Sequence, residues 1–178
     1  MVKQCTFYFI LFASLFASYC VHAQDVDKNK YWIGLGLGKS QFPSGMAAFG
    51  YELKNKPTLL TARYTFNGEI FSDNLPGIKV NELGLLYGLK TGKFNLSAGL
   101  SGVWGIERGA YIGSDPDPLI YGSRIYESTS YTTIGVPAEI RFITSTKDVG
   151  IGLTGFGNFN AKRSFVGLNL SLYLGKMK

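Results

Sequence analysis

The chain has 178 residues, of which 46% are hydrophobic, 15% aromatic and only 17% charged, with 23 glycines and a formal net charge of +6. That length suits one domain, and so few charges beside so many aromatics exclude a disordered chain. So much glycine also excludes a helical bundle, because each glycine costs a helix interior roughly 1 kcal/mol.

Residues 1–23 read as a secretory signal. Lys3 supplies the positive start, residues 7–17 the apolar segment, and Val21-His22-Ala23 the cleavage site. The apolar run is shorter than the roughly 20 residues that a bilayer-spanning helix needs. A lipoprotein signal ending at Cys20 is disfavoured by Tyr19, which stands where that processing takes a small residue. Cleavage would leave residues 24–178 as the mature domain and remove Cys5, Cys20 and His22, the only cysteines and the only histidine. A mature chain of this kind has no disulfide, no zinc site of the Cys/His type and no histidine base. We therefore expect no catalytic residues, no metal and no cofactor.

Eight strands are expected in the remainder, near 31–40, 44–53, 58–70, 79–90, 93–107, 130–144, 148–160 and 164–176. Each alternates with period two. In the first, Tyr31, Ile33, Leu35 and Leu37 share a face. The second has Ala47, Phe49, Tyr51 and Leu53, the third Leu60, Ala62, Tyr64 and Phe66, and the fourth Leu83, Leu85, Tyr87 and Leu89. The fifth carries Phe94, Leu96, Ala98, Leu100, Trp104 and Ile106, and the sixth Ile134, Val136, Ala138, Ile140 and Phe142. Val149, Ile151 and Leu153 mark the seventh, and Val166, Leu168, Leu170, Leu172 and Leu174 the eighth.

The opposite faces hold glycine, serine, threonine and asparagine, including Gly34, Gly36, Gly84, Gly88, Gly99 and Gly152. A soluble exterior would carry many more lysines and glutamates, whereas small residues suit a crowded lumen. The connections alternate as well. Short polar turns at 54–57, 91–92 and 145–147 fall at one end, and the longer segments 71–78 and 108–129 at the other. That is the plan of an antiparallel up-and-down barrel crossing an outer membrane. Tyr31, Tyr51, Tyr87, Phe94 and Phe142 near the short turns, with Phe66 and Trp104 near the loops, fit interfacial aromatic girdles.

The signal, the eight alternating strands and the stretch Gly135-Val136-Pro137-Ala138-Glu139-Ile140-Arg141-Phe142 resemble small outer-membrane β-barrel proteins of Bacteroidota-type bacteria. More distantly the chain is similar to the OmpA transmembrane domain and OmpX. The resemblance implies an all-β, eight-stranded transmembrane barrel located in the outer membrane.

Counting along the inward faces places Glu52, Arg63, Glu69, Glu82, Glu139 and Arg141 in the lumen. The third and sixth strands stand three places apart around eight, so their side chains face nearly across a narrow bore. We expect an ion-pair network of Arg63 with Glu139 or Glu82, joined by Arg141 and with Glu52 also inside, that locks the barrel. Trp32, Phe156, Phe165 and Tyr173 point into the same lumen and should leave no open channel.

Chemistry-bearing motifs are weak. Asp115 and Asp117 in the longest loop fall short of the six to eight oxygens that calcium takes, and a proline-stiffened turn accounts for them. Tyr111, Tyr121 and Tyr126 in the same loop suit a contact surface, or else pack the loop onto the rim. No basic cluster of helical spacing suggests nucleic acid. The turn cations Lys54, Lys56, Lys93, Lys147, Lys162 and Arg163 fit either anionic lipid head groups or plain solvation. The expected partners are thus outer-membrane lipid and, through the 108–129 loop, other envelope proteins. The reading is a non-enzymatic outer-membrane barrel, an envelope structure or a loop-mediated binding or adhesion protein. The alternatives are a soluble periplasmic ligand-binding barrel, or a small pore or subunit of an outer-membrane transport assembly.

Overall fold

A computed structural model describes residues 30–53, 56–70, 72–115 and 124–177. The signal segment, Asp117 and Tyr121 lie outside the described residues. The elements in chain order are β1 (Lys30–Lys39), β2 (Pro43–Glu52), β3 (Thr58–Gly68), the two-residue β4 (Asn74–Leu75), β5 (Lys79–Thr91), β6 (Phe94–Ser114), β7 (Arg124–Ser145), β8 (Val149–Asn160) and β9 (Phe165–Lys176). The eight long strands pair antiparallel with their neighbours in sequence, and β9 closes on β1. The fold is a closed eight-stranded antiparallel barrel, which leaves no free sheet edge.

Side-chain period decides which way each residue faces. Leu37 and Ile134 are each 77% exposed and Leu85 72%, whereas Trp32, Arg63, Arg141, Thr154 and Asn158 on the other face are 0% exposed. The outside is therefore apolar and the inside polar, the reverse of a soluble barrel. The expected girdle aromatics all point outward, and Phe94 and Phe142 meet across β6 and β7 with ring centroids 5.2 Å apart.

One end carries short turns. Leu53 N–H donates to Thr58 O at 3.1 Å between β2 and β3, and Thr146 N–H to Val149 O at 2.8 Å between β7 and β8. Thr91 still pairs with Phe94, so the β5–β6 turn is Gly92-Lys93, with φ of 60° at Gly92. That left-handed conformation favours glycine.

The other end differs from expectation. Residues 108–114 and 124–129, expected in the loop, are strand: β6 runs on to Ser114 and β7 begins at Arg124, and the two are longer than the other strands. Pairing continues through Arg108–Ser128 and Tyr111–Tyr126, with register shifts on either side of Tyr111. The connection before β5 also contributes β4, which pairs parallel with Arg124 and Ile125. The reason for the miss is physical. Glu107, Arg108, Glu127, Ser128 and Thr129 lack apolar alternation, yet backbone hydrogen bonds do not need it.

Inside, two apolar clusters stand at different heights. Trp32, Ala48, Leu59, Tyr173 and Met177 fill the short-turn half, and Val80, Val103, Tyr131, Phe156 and Phe165 the loop half. Trp32 needs Gly50 opposite it on β2, since a Cβ there would overlap the indole. The lumen glycines are thus the recesses into which the large rings fit.

Candidate functional site: the charged layer inside the barrel

Between the two apolar clusters lies a layer of four buried charges drawn from three strands. Arg63 projects from β3, Glu82 from β5, and Glu139 and Arg141 from β7. Arg63 Nη2 donates to Glu82 Oε1 at 2.6 Å and Nε to the same oxygen at 3.3 Å. Its Nη1 reaches across the bore to Glu139 Oε2 at 3.0 Å. Arg141 Nη2 donates to that same Glu139 oxygen at 2.8 Å, so one carboxylate oxygen ties two arginines together. All four side chains are fully buried. The set holds two guanidinium groups and two carboxylates, so it carries no net charge into a low-dielectric interior, where an uncompensated charge would be costly.

The surroundings hold the layer in place. Thr65 donates to Glu82 Oε2 at 3.3 Å, and Arg63 Nη2 also donates to Gly157 O at 3.4 Å. The Arg141 guanidinium lies 4.7 Å from the centroid of the Trp32 ring, and that of Arg63 5.8 Å from Phe156. Each arginine thereby joins the charged layer to one apolar cluster through a cation–π contact. Polar side chains link further strands as well, β8 to β6 past β7 and β8 to β9. Asn158 Nδ2 donates to Ser101 at 2.7 Å, and Thr154 and the Tyr173 hydroxyl meet at 2.9 Å.

Two of the inward carboxylates do not belong to this layer. Glu52 lies at the short-turn mouth, where Lys90 Nζ donates to both its oxygens at 2.7 and 2.8 Å. Glu69 sits at the loop end and accepts from Arg108. Glu52 was expected in the same network, but at the last position of β2 it pairs with Lys90, while Arg63 and Arg141 pair with Glu82 and Glu139. Lys90 and Arg108 were missed by sequence reasoning. Lys90 continues the inward register of Leu86 and Gly88 and was legible from it, whereas Arg108 fell in a segment read as loop.

On the projecting hairpin, Tyr111 and Tyr126 meet edge to face with centroids 5.4 Å apart, and Arg108 lies 5.7 Å over the Tyr126 ring. Among the described residues no three His, Cys, Asp or Glu side chains gather as a metal site. The interior thus holds two buried arginines and two buried carboxylates in contact, packed between aromatic rings, with Glu139 Oε1 and Arg141 Nε and Nη1 left without a hydrogen-bond partner among the described residues.

No family model and no curated protein matches the chain. Solved structures do. The N-terminal β-barrel domain of Pseudomonas aeruginosa OprF is 13% identical with a TM-score of 0.52, covering 83% of this chain and 98% of that one. The Yersinia pestis outer-membrane protein Ail, determined in a phospholipid bilayer nanodisc, is 12% identical with a TM-score of 0.53 over 83% and 99% of the two chains. A major outer-membrane protein of Thermus thermophilus is 11% identical with a TM-score of 0.56 over the same shares. At these identities the likeness is one of fold. The chain has the fold of the small barrels found in outer membranes.

Proposed function

We propose that this chain is an integral outer-membrane protein that acts without catalysis, as an envelope component and a binding platform presented by the β6–β7 hairpin. The observation that carries the reading is the inverted distribution of polarity. A continuous belt of Leu, Ile and Val faces outward while Arg63, Glu82, Glu139 and Arg141 are enclosed. In water that belt would be a large exposed apolar surface; in a bilayer it is the required one. Export by the 1–23 signal belongs to the same proposal, as does kinship with the Bacteroidota-type barrels, which rests on the 135–142 stretch.

The exposed Tyr111, with Tyr126 against it, supports the hairpin as the contact surface for other envelope proteins. The test is fractionation of the producing cells. The protein should partition with the outer membrane and migrate on gels in a heat-modifiable way, folded when unheated. Recovery of a monodisperse native species without detergent would refute the membrane assignment and favour a soluble periplasmic barrel.

A further inference from the structure

The apolar outer wall carries a recess among the described residues. Across β1, β2 and β3 two adjacent outward rows read Leu35–Ala47–Tyr64 and Leu37–Gly45–Phe66. Small residues thus stand between leucines on one side and aromatic rings on the other, as part of a recess of about 740 Å³ that continues past the β1 leucines over Leu170 and Leu172 of β9 and Ile151 of β8. Phe49 is the next outward residue of β2 towards the short turns, and Pro43 the next towards the loop end. The aromatic wall is braced from behind. The Tyr64 hydroxyl donates to Asn81 Oδ1 at 2.8 Å, and its ring centroid is 6.3 Å from that of Trp104. A braced wall lowers the ordering cost for an occupant.

The mouth of the groove is cationic. Lys39 pairs with Pro43, and Gly68 pairs with Lys79. Pro43 and Gly68 lie one step beyond the Ser44–Asn67 pair, so a single outward row runs Lys39, Pro43, Gly68, Lys79. Three strand spacings separate the two lysine backbones by about 14 Å, a gap that two long side chains can close around one anion. Both lysines are exposed, and neither takes part in an ion pair among the described residues.

We infer that this groove seats one acyl chain of a phosphorylated membrane lipid from the leaflet at the loop end, with Lys39 and Lys79 holding its phosphate. The inference rests on the membrane reading above. An acyl chain descending from the loop-end surface enters beside Pro43 and runs along β2 towards Phe49. Charge complementarity selects the lipid over a second copy of the chain. A two-fold copy would set groove against groove and lysines against lysines, which fills neither recess and opposes like charges.

The test uses the mature chain in nanodiscs of equal parts phosphatidylcholine and phosphatidylglycerol, followed by gentle release and native mass spectrometry. One phosphatidylglycerol should stay bound in preference to phosphatidylcholine. Each lysine near a bilayer surface is worth roughly fivefold, so Lys39→Gln with Lys79→Gln should cut that preference by about twenty-five-fold. Gly45→Phe should remove the retained lipid of either kind, because it fills the groove from a position where an added Cβ meets nothing within 4 Å. Its heat-modifiable migration should persist. Equal retention of both lipids by the unaltered protein, undiminished retention in Gly45→Phe, or a dimer in place of the lipid adduct would each overturn the inference. A barrel that inserts and holds no lipid removes this inference alone, whereas failure to enter the bilayer at all removes the membrane reading with it.

Discussion

Replacing Arg63 by alanine removes the one group that joins β3, β5 and β7 across the bore. Two bonds to Glu82, one to Glu139 and one to Gly157 O are lost together. Glu139 keeps Arg141 at 2.8 Å, but Glu82 keeps only neutral partners, the Thr65 hydroxyl at 3.3 Å and the Asn158 amide. A balanced set of two positive and two negative charges becomes one of net −1, enclosed with full burial. Breaking a buried pair from one side typically costs about 3–5 kcal/mol. At a urea m-value of about 2 kcal/mol/M, that lowers the unfolding midpoint by about 2 M. Unfolding of the detergent- or vesicle-folded protein, followed by tryptophan fluorescence and by gel mobility, reads this directly. Lys56→Ala, on an exposed turn, should stay within about 0.5 kcal/mol. The balance argument adds a sharper arm. Removing Arg63 and Glu82 together, as Arg63→Met with Glu82→Leu, leaves the neutral Glu139–Arg141 pair and should recover at least half of the loss, since apolar replacement of a whole buried pair is often neutral. Should Arg63→Ala unfold like Lys56→Ala, or the double variant prove no better than the single, charge balance is not what the layer supplies.

The filled bore, with Trp32, Tyr173, Phe156 and Phe165 buried at 4% exposure or less, should conduct no ions, and reproducible single-channel steps from pure protein in a planar bilayer would contradict that. Gly50→Leu should displace the Trp32 indole that lies over it and cost about 1–3 kcal/mol by overpacking, read as a lowered midpoint and an altered Trp32 emission; an unchanged spectrum would place the indole elsewhere. Tyr111→Ala and Tyr126→Ala should change barrel stability by less than about 0.5 kcal/mol, because they lie on the projecting hairpin. They should nevertheless reduce capture of envelope proteins by the membrane-embedded chain, and capture equal to that of the unaltered protein would remove the hairpin from the contact surface.

Much of the barrel can be read from the chain because the apolar outer face and the polar lumen impose opposite demands on alternate residues. Leu83, Leu85, Tyr87 and Leu89 against Glu82, Gly84, Leu86 and Gly88 already state which side of β5 is enclosed. Once that parity is known for every strand, strand count sets Arg63 and Glu139 facing each other, since three steps around eight strands nearly span the bore. Height along the bore is harder, because it accumulates the offset of each pairing and is fixed only by the registers Arg63–Gly84, Glu82–Val103 and Ser97–Glu139. That is why Glu52 could be assigned to the interior but not to its own pair with Lys90.

The β6–β7 hairpin marks a limit of another kind. Alternation records a difference between two environments, and it disappears where both faces of a sheet meet the same one. From Glu107 to Ser114 and from Arg124 to Ser130 the residues are mixed on both faces, yet the strands stay paired down to Ser114–Arg124. Backbone hydrogen bonding continues as long as neither strand is forced apart, and the register shifts on either side of Tyr111 interrupt the pairing without ending it. The end of the period-two pattern at Glu107 therefore locates the edge of the apolar belt, not the end of the sheet. By the same reasoning the paired stretch that carries Tyr111 and Tyr126 stands outside the belt, which is the arrangement the proposed contact surface requires.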